Sequence, residues 1–153
     1  MHTVYLSTGS NLGNRETLLI QAEEAITEWV GPIDARSSIM ETAPWGKTDQ
    51  PHFLNRVLRV KTRLPPIQLM EMLLQIEQDM GRNRAEKWGP RTIDIDVLFY
   101  DSRIINEPGL CVPHPYMHER VFVLKPLVEI APGFMHPVLQ KTMSELLDAL
   151  SHG

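Results

Sequence analysis

A single cysteine, Cys111, stands among 153 residues. One thiol closes no intrachain disulfide and builds no cysteine-based zinc site, and it suits a reduced, cytoplasmic setting. Basic charge is not in excess. The formal net charge of −4 argues against a surface whose main work is to hold nucleic acid, although it leaves room for a locally basic site. No apolar run approaches the roughly 18 residues needed to cross a membrane. The opening MHTVYLSTGS has no basic start followed by a long apolar stretch, so it does not read as a secretion signal. Internal repeats, low-complexity tracts and linkers are lacking too, and residues 1–153 read as one domain long enough for a real core. The common phosphate-binding loops are missing. GSNLGN lacks the lysine of G-x-x-x-x-G-K-[ST], and GSNLG does not fit G-x-G-x-x-G.

What is present begins with periodicity. Residues 3–8, TVYLST, read as a first strand, and GSNLGN turns the chain into a helix that Asn14 caps. Leu18, Leu19, Ala22, Ile26, Trp29 and Val30 repeat with helical period until Gly31-Pro32 stops them. ARSSIMET (35–42) reads as one strand, APWGKTDQPH (43–52) as a loop, and FLNRVLRVKT (53–62) as another strand. Leu54, Val57 and Val60 do not alternate, which predicts a bulge or a two-sided environment. After Pro65-Pro66, Leu69, Leu73, Ile76 and Met80 share a helix stripe that Gly81 ends. RIINEPGLCVP gives short extended pieces. HERVFVLKPLVEIAP starts as a helix and is interrupted at Pro126, and TMSELLDAL is a closing helix capped by Thr142 or Ser144. Methionines in these helices read as core filler. The order β-α-β-β-α-β, with helical additions, predicts an α+β, ferredoxin-like sandwich. Sandwich architecture alone names no function.

The chemistry concentrates in GPRTIDIDVLFY, residues 89–100. Ile93, Ile95, Val97 and Phe99 alternate with Thr92, Asp94, Asp96 and Leu98, the pattern of a strand. Asp94 and Asp96 therefore share a face, roughly 6.5–7 Å apart along the strand. Paired carboxylates repel, and a hard divalent cation cancels the repulsion; Mg²⁺ takes oxygen ligands, often one or two carboxylates plus phosphates. A bare D-x-D more often lies on a solvated sheet face. Just upstream, RNRAEKWGPR (82–91) sets Arg82, Arg84, Lys87 and Arg91 against Glu86 alone. Arginines hold phosphate oxygens bidentately, and a like-charged loop repels itself without an anion. A charge run is as often a solvated loop. Together, the carboxylate pair and the basic loop describe a metal–polyphosphate site.

Aromatic and amide groups suggest a second ligand. Trp45 and Trp88 lie in the two long loops, and Phe53 and Phe122 flank element starts. Such rings either anchor loops or sandwich a flat heteroaromatic ligand. Asn55 offers a donor–acceptor pair from an apolar strand, for such a ring or for a bulge. His114, between prolines, reads more readily as a hydrogen-bonded loop residue than as a general base. Glu77 lies beside the helix stripe just before Arg82, where it orients that loop, touches a ligand or lies on a solvated helix face.

These residues resemble a known family. GSNLGN, ETAPWG…QPHFLN, IEQDMGRNRAEKWGPRTIDIDVLFY and VPHPYMHERVFVLKPLVEIAP follow, in order and spacing, the motifs of the 6-hydroxymethyl-7,8-dihydropterin pyrophosphokinases. The R-x-R…WGPR-T-I-D-I-D block is highly specific, and the resemblance covers nearly the whole chain. It implies a ferredoxin-like α/β/α sandwich with a central, mostly antiparallel sheet and mobile loops. It implies transfer of pyrophosphate from ATP to the pterin 6-hydroxymethyl group, releasing AMP, in folate biosynthesis. By the same resemblance, Asp94 and Asp96 hold two Mg²⁺ ions. The pterin meets Phe53, Phe122, Asn55, Asp94, Thr42, Ala43 and Trp45. ATP meets Glu77, Arg82, Arg84, Trp88, Arg91, His114 and Arg120, with Arg82, Arg91, Asp94 and Asp96 catalytic. The implied partners are these small molecules, not nucleic acid or membrane, and the implied form is a cytoplasmic monomer. Leu110 and Cys111 stand where some members carry polar residues near adenine, and the role of Lys87 is open.

Two other classes use parts of the same pattern. A Mg²⁺-dependent phosphohydrolase would pair the D-x-D and arginines with water as nucleophile. A ferredoxin-like RNA-binding module would need an exposed basic and aromatic sheet face, whereas here the basic residues adjoin carboxylates.

Overall fold

A computed structural model describes residues 1–43, 52–81 and 93–152. In chain order these form β1 (His2–Ser10), α1 (Arg15–Trp29), β2 (Ile33–Arg36), β3 (Met40–Thr42), β4 (Phe53–Thr62) and α2 (Pro66–Asp79). There follow β5 (Asp94–Tyr100), β6 (Ile105–Glu107), β7 (Leu110–Val112), α3 (Val121–Ile130) and α4 (Met143–His152), with one 3-10 turn at Met117–Glu119. The main sheet runs β2-β4-β1-β5, with β3 also on β4, and every pairing is antiparallel. This is the ferredoxin-like order that two β-α-β units produce.

The sheet has two covered faces. On one, Val4, Leu6, Leu54, Leu58, Ile93 and Ile95 pack against Leu19, Ala22 and Ile26 of α1 and Leu69, Leu73 and Ile76 of α2. On the other, Tyr5, Val57, Leu98 and Phe99 pack against Val123, Leu124 and Leu127 of α3 and Met143 and Leu146 of α4. Two-sided burial explains β4. Its register with β1 is unbroken, so Leu54, Val57 and Val60 fail to alternate because both faces take apolar side chains, not because of a bulge against β1. A charge enters beside α1: Glu23, buried, accepts from Arg36 Nε at 2.8 Å and from an Arg56 guanidinium nitrogen at 3.1 Å.

Local signals mostly act as read. Asn14 caps α1 by accepting from Thr17 N–H at 3.2 Å. Gly31 ends that helix where a Cβ would sit 1.8 Å from the Lys61 carbonyl oxygen, so no larger residue fits. At α4, Thr142 rather than Ser144 is the cap. Its hydroxyl accepts from Glu145 N–H at 3.1 Å while the Glu145 carboxylate accepts from Thr142 N–H at 2.9 Å, a reciprocal capping box.

Three readings are corrected. ARSSIMET is not one strand: β2 and β3 are separated at Ser37–Ile39. Ser37 Oγ accepts from Val57 N–H there, and Glu129 of α3 holds Ser38 through its amide at 2.9 Å and its hydroxyl at 2.6 Å. Pro126 does not interrupt α3, which runs on to Ile130. Proline removes one hydrogen bond, to the Phe122 carbonyl, but Val123, Leu124, Pro126 and Leu127 are all buried, and that packing outweighs the loss. In β5 the alternation breaks after Val97. The register with β1 shifts there, so Leu98 and Phe99 both face α3 and α4.

The turn before α4 is held by a neutral imidazole. His136 is buried, and its Nδ1 accepts from Val138 N–H and Leu139 N–H, each at 3.1 Å. Burial pushes its pKa below the usual 6.5, and His118 adds to the effect. The folded state therefore disfavours the proton, and this stability is full above the unfolded pKa of about 6.5 and lost as pH falls through the lower folded value. His136→Asn keeps a short acceptor for the turn. Its melting temperature is expected to fall less than wild type's between pH 7.5 and 5.5, as read by thermal melts in matched buffers. Parallel curves would remove His136 as the cause.

Candidate active site

Asp94 and Asp96, near the start of β5, face the far side of the sheet from α1 and α2. In register across the sheet, Asp94 pairs with Gly9 and Gly9 pairs with Asn55; Asp96 pairs with Ser7 and Ser7 with Val57. Paired residues share a face, so Asp94 and Asn55 stand on either side of a glycine. Gly9 has no side chain to fill the gap, and a Cβ there would come within 2.8 Å of Asn55 Oδ1. Phe53 stands two residues before Asn55 and on the same face. Above them comes the start of α3, with Arg120 at its cap and Phe122 in its first turn.

These groups enclose a cavity of about 150 Å³. Phe53 and Phe122 line it, with Thr42, Ala43, Asn55, Asp94 and Asp96. Asn55 is buried and donates to Thr42 Oγ1 at 2.8 Å, which fixes its amide. The Arg120 guanidinium carbon lies 5.9 Å from the Phe122 ring centre, within cation–π range.

A larger cavity of about 640 Å³ opens on the other side of the same aspartates. Its wall takes Met70, Leu73, Leu74 and Glu77 from α2 and Gly109, Leu110 and Cys111 from the β6–β7 hairpin. Met70, Leu73, Leu74, Ile95, Val97 and Leu110 give it apolar wall, and Glu77, Asp94, Asp96 and Glu107 give it acidic groups. Leu110 is buried and belongs to the core; Cys111 is exposed. His114 borders both cavities, its N–H donating to the Leu98 carbonyl at 3.0 Å. Burial holds the His114 imidazole below its usual pKa; Asp96 pulls it up and Arg120 pulls it down.

The structure thus gathers Thr42, Ala43, Phe53, Asn55, Asp94, Asp96, His114, Arg120 and Phe122 around one pocket, and Glu77, Asp94, Asp96 and His114 around its neighbour. Trp45, Arg82, Arg84, Lys87, Trp88 and Arg91 lie outside the described residues. Glu77 is not on a solvated helix face: it is buried, and its carboxylate accepts from Ile95 N–H at 2.7 Å. Its place beside Ile76 and four residues after Leu73 was the signal for that burial. Gly9 and Ser7 line the smaller pocket; the sequence marks Gly9 only as a turn glycine of GSNLGN and Ser7 only as part of the first strand. Arg15 was also missed. It donates to Glu41 at 3.1 Å and to the His52 carbonyl at 2.8 Å, tying β3 to the start of β4.

Two pockets thus share the wall that carries Asp94 and Asp96, on a ferredoxin-like sheet. The profile of the 7,8-dihydro-6-hydroxymethylpterin-pyrophosphokinase (HPPK) family matches residues 5–132, and the chain belongs to that family. The 2-amino-4-hydroxy-6-hydroxymethyldihydropteridine pyrophosphokinase of Aquifex aeolicus is 41% identical over 145 residues, 95% of this chain and 90% of its own. The enzyme of the same name from Bacillus subtilis is 46% identical over 127 residues, 82% of this chain and 76% of its own. A crystal structure of Plasmodium falciparum HPPK-DHPS with pteroate superposes with a TM-score of 0.78, at 18% identity, over 97% of this chain and 42% of that one. At that identity the likeness speaks for the fold. Pyrophosphokinases use ATP, which implies a metal. Among the described residues, no helix is long and apolar enough to cross a membrane.

Proposed function

We propose that residues 1–153 form one domain that transfers pyrophosphate from ATP to the 6-hydroxymethyl group of 6-hydroxymethyl-7,8-dihydropterin. The products are the pterin diphosphate and AMP, in folate biosynthesis. The observation that carries this reading is the position of Asp94 and Asp96, on the wall common to both cavities.

In this reading the smaller cavity takes the pterin, between Phe53 and Phe122. Asn55, held by Thr42, meets the edge of the ring with paired donor and acceptor, and Asp94, Ala43 and Trp45 complete the seat. The larger cavity takes ATP, its base beside Leu110 and Cys111 of the β6–β7 hairpin and its phosphates toward the aspartates. Backbone groups on β7 serve the base, since Leu110 is turned into the core. His114, Arg120, Glu77, Arg82, Arg84, Trp88 and Arg91 flank the nucleotide.

The donor set suits Mg²⁺. Asp94 and Asp96 offer hard oxygen ligands on one face, and Asp96 is exposed, so its carboxylate is open to a cation. Among the described residues no three such side chains converge to hold a cation alone, which fits an ion whose remaining ligands are phosphate oxygens and water. Two Mg²⁺ ions are proposed there. Bound metal neutralises charge on the phosphates and on the attacking oxygen. The chain's own contribution is to hold the pterin oxygen in line with the β-phosphorus, to keep the bond to AMP opposite it, and to balance charge with Arg82 and Arg91.

The proposed form is a cytoplasmic monomer acting on small molecules, without nucleic acid or membrane. The test is AMP release from ATP with and without the pterin alcohol. AMP only with the alcohol is expected. AMP or phosphate at equal rates without it would make the protein a hydrolase, and no turnover in either case would end the proposal.

A further inference from the structure

We propose that Glu77 is a positioning residue: it sets the spacing and aim of Asp94 and Asp96 by fixing the peptide between them. The inference rests on the reading of those aspartates given above. Among the described residues β5 is an edge strand of the sheet. On its inner side β1 holds it, with Gly9 opposite Asp94 and Thr8 opposite Ile95. Edge strands carry a row of outward backbone groups that need other partners. At Ile95 the partner is Glu77, whose Oε2 accepts the amide at 2.7 Å.

The geometry makes this one bond act on both aspartates. Ile95 sends its side chain into the core with α1 and α2, while its neighbours Asp94 and Asp96 point to the opposite face. Holding the Ile95 peptide from both sides therefore fixes the two carboxylates as a pair. Glu77 is itself rigidly placed. It is buried in the last turns of α2, next to Ile76 and four residues after Leu73, both in the core. A buried carboxylate is costly without hydrogen bonds, so its presence here calls for a reason beyond packing. The bond from the Ile95 amide supplies one.

If Glu77 acts through its acceptor oxygen, glutamine replaces it and leucine does not. Three readouts separate the cases: amide exchange at Ile95 in ligand-free protein, by NMR; Mn²⁺ binding in the presence of α,β-methylene-ATP, by electron paramagnetic resonance; and the Mg²⁺ concentration giving half-maximal AMP formation. Glu77→Gln is expected to keep Ile95 exchange within about twofold of wild type and to weaken Mn²⁺ binding far less than Glu77→Leu does. Glu77→Leu is expected to exchange Ile95 faster and to weaken Mn²⁺ binding about tenfold or more, with the Mg²⁺ requirement rising in step. Should the leucine variant not fold, Glu77→Ala takes its place. Equal damage from Gln and Leu would show that the charge itself is what counts, and unchanged Mn²⁺ binding in the Leu variant would show a packing role; either overturns the inference. Failure of the functional reading looks different: wild type then forms no AMP with the pterin alcohol, whatever Ile95 does.

Discussion

Alanine at Asp94 or at Asp96 is expected to lower kcat about a thousandfold or more while the protein stays folded. The two carboxylates share one strand face and line both cavities, so either loss removes a ligand from the place where the two proposed substrates meet. Removing Asp96 should not cost stability: it is exposed, and losing one of two neighbouring like charges relieves repulsion. For that variant a melting temperature at or above the wild-type value is therefore expected beside near-absent AMP formation. A variant that keeps wild-type turnover over a full Mg²⁺ titration would remove that aspartate from the metal site. The paired measurement matters because a melted variant also loses activity, for an uninformative reason.

The second large effect is expected at Asn55. Replacing it with leucine keeps the branched four-atom shape, with somewhat more bulk, and deletes both polar groups in a buried seat. A buried ring edge left without partners costs about 1–3 kcal/mol, so the KM for the pterin should rise roughly 5- to 150-fold. The KM for ATP should move little, because Asn55 lines the smaller cavity and not the larger. Gly9→Ala offers an independent check. Its methyl would press within 2.8 Å of Asn55 Oδ1 and displace the amide without deleting it, giving the same selective rise. Equal increases in both KM values, for either variant, would contradict separate seats.

Burial lowers the pKa of the His114 imidazole, Arg120 lowers it further and Asp96 opposes them. Arg120, on the rim of the smaller pocket, is a permanent cation.

Much was legible in the chain. Asn14, the Gly31-Pro32 stop and the α2 stripe act through local rules, and local rules survive folding: a cap bonds within its own helix, and a helical stripe always shares one side. The D-x-D face was legible for the same reason, since alternation is a property of the extended backbone. Nothing local, however, says what a face will meet. Whether Glu77 lay in water or in the core depended on α2 crossing the start of β5. Whether Pro126 broke its helix depended on how much of α3 the sheet would cover. The β5 bulge that turns Phe99 to the far side depended on β1. Gly9 is the clearest case: within GSNLGN it is one glycine among turn residues, and only the β5-β1-β4 register makes it the open floor between Asp94 and Asn55. The sequence by itself determined the elements, their order and the acidic and basic groups available. Tertiary structure decided which groups share a wall, because register and packing bring together residues that the chain holds far apart.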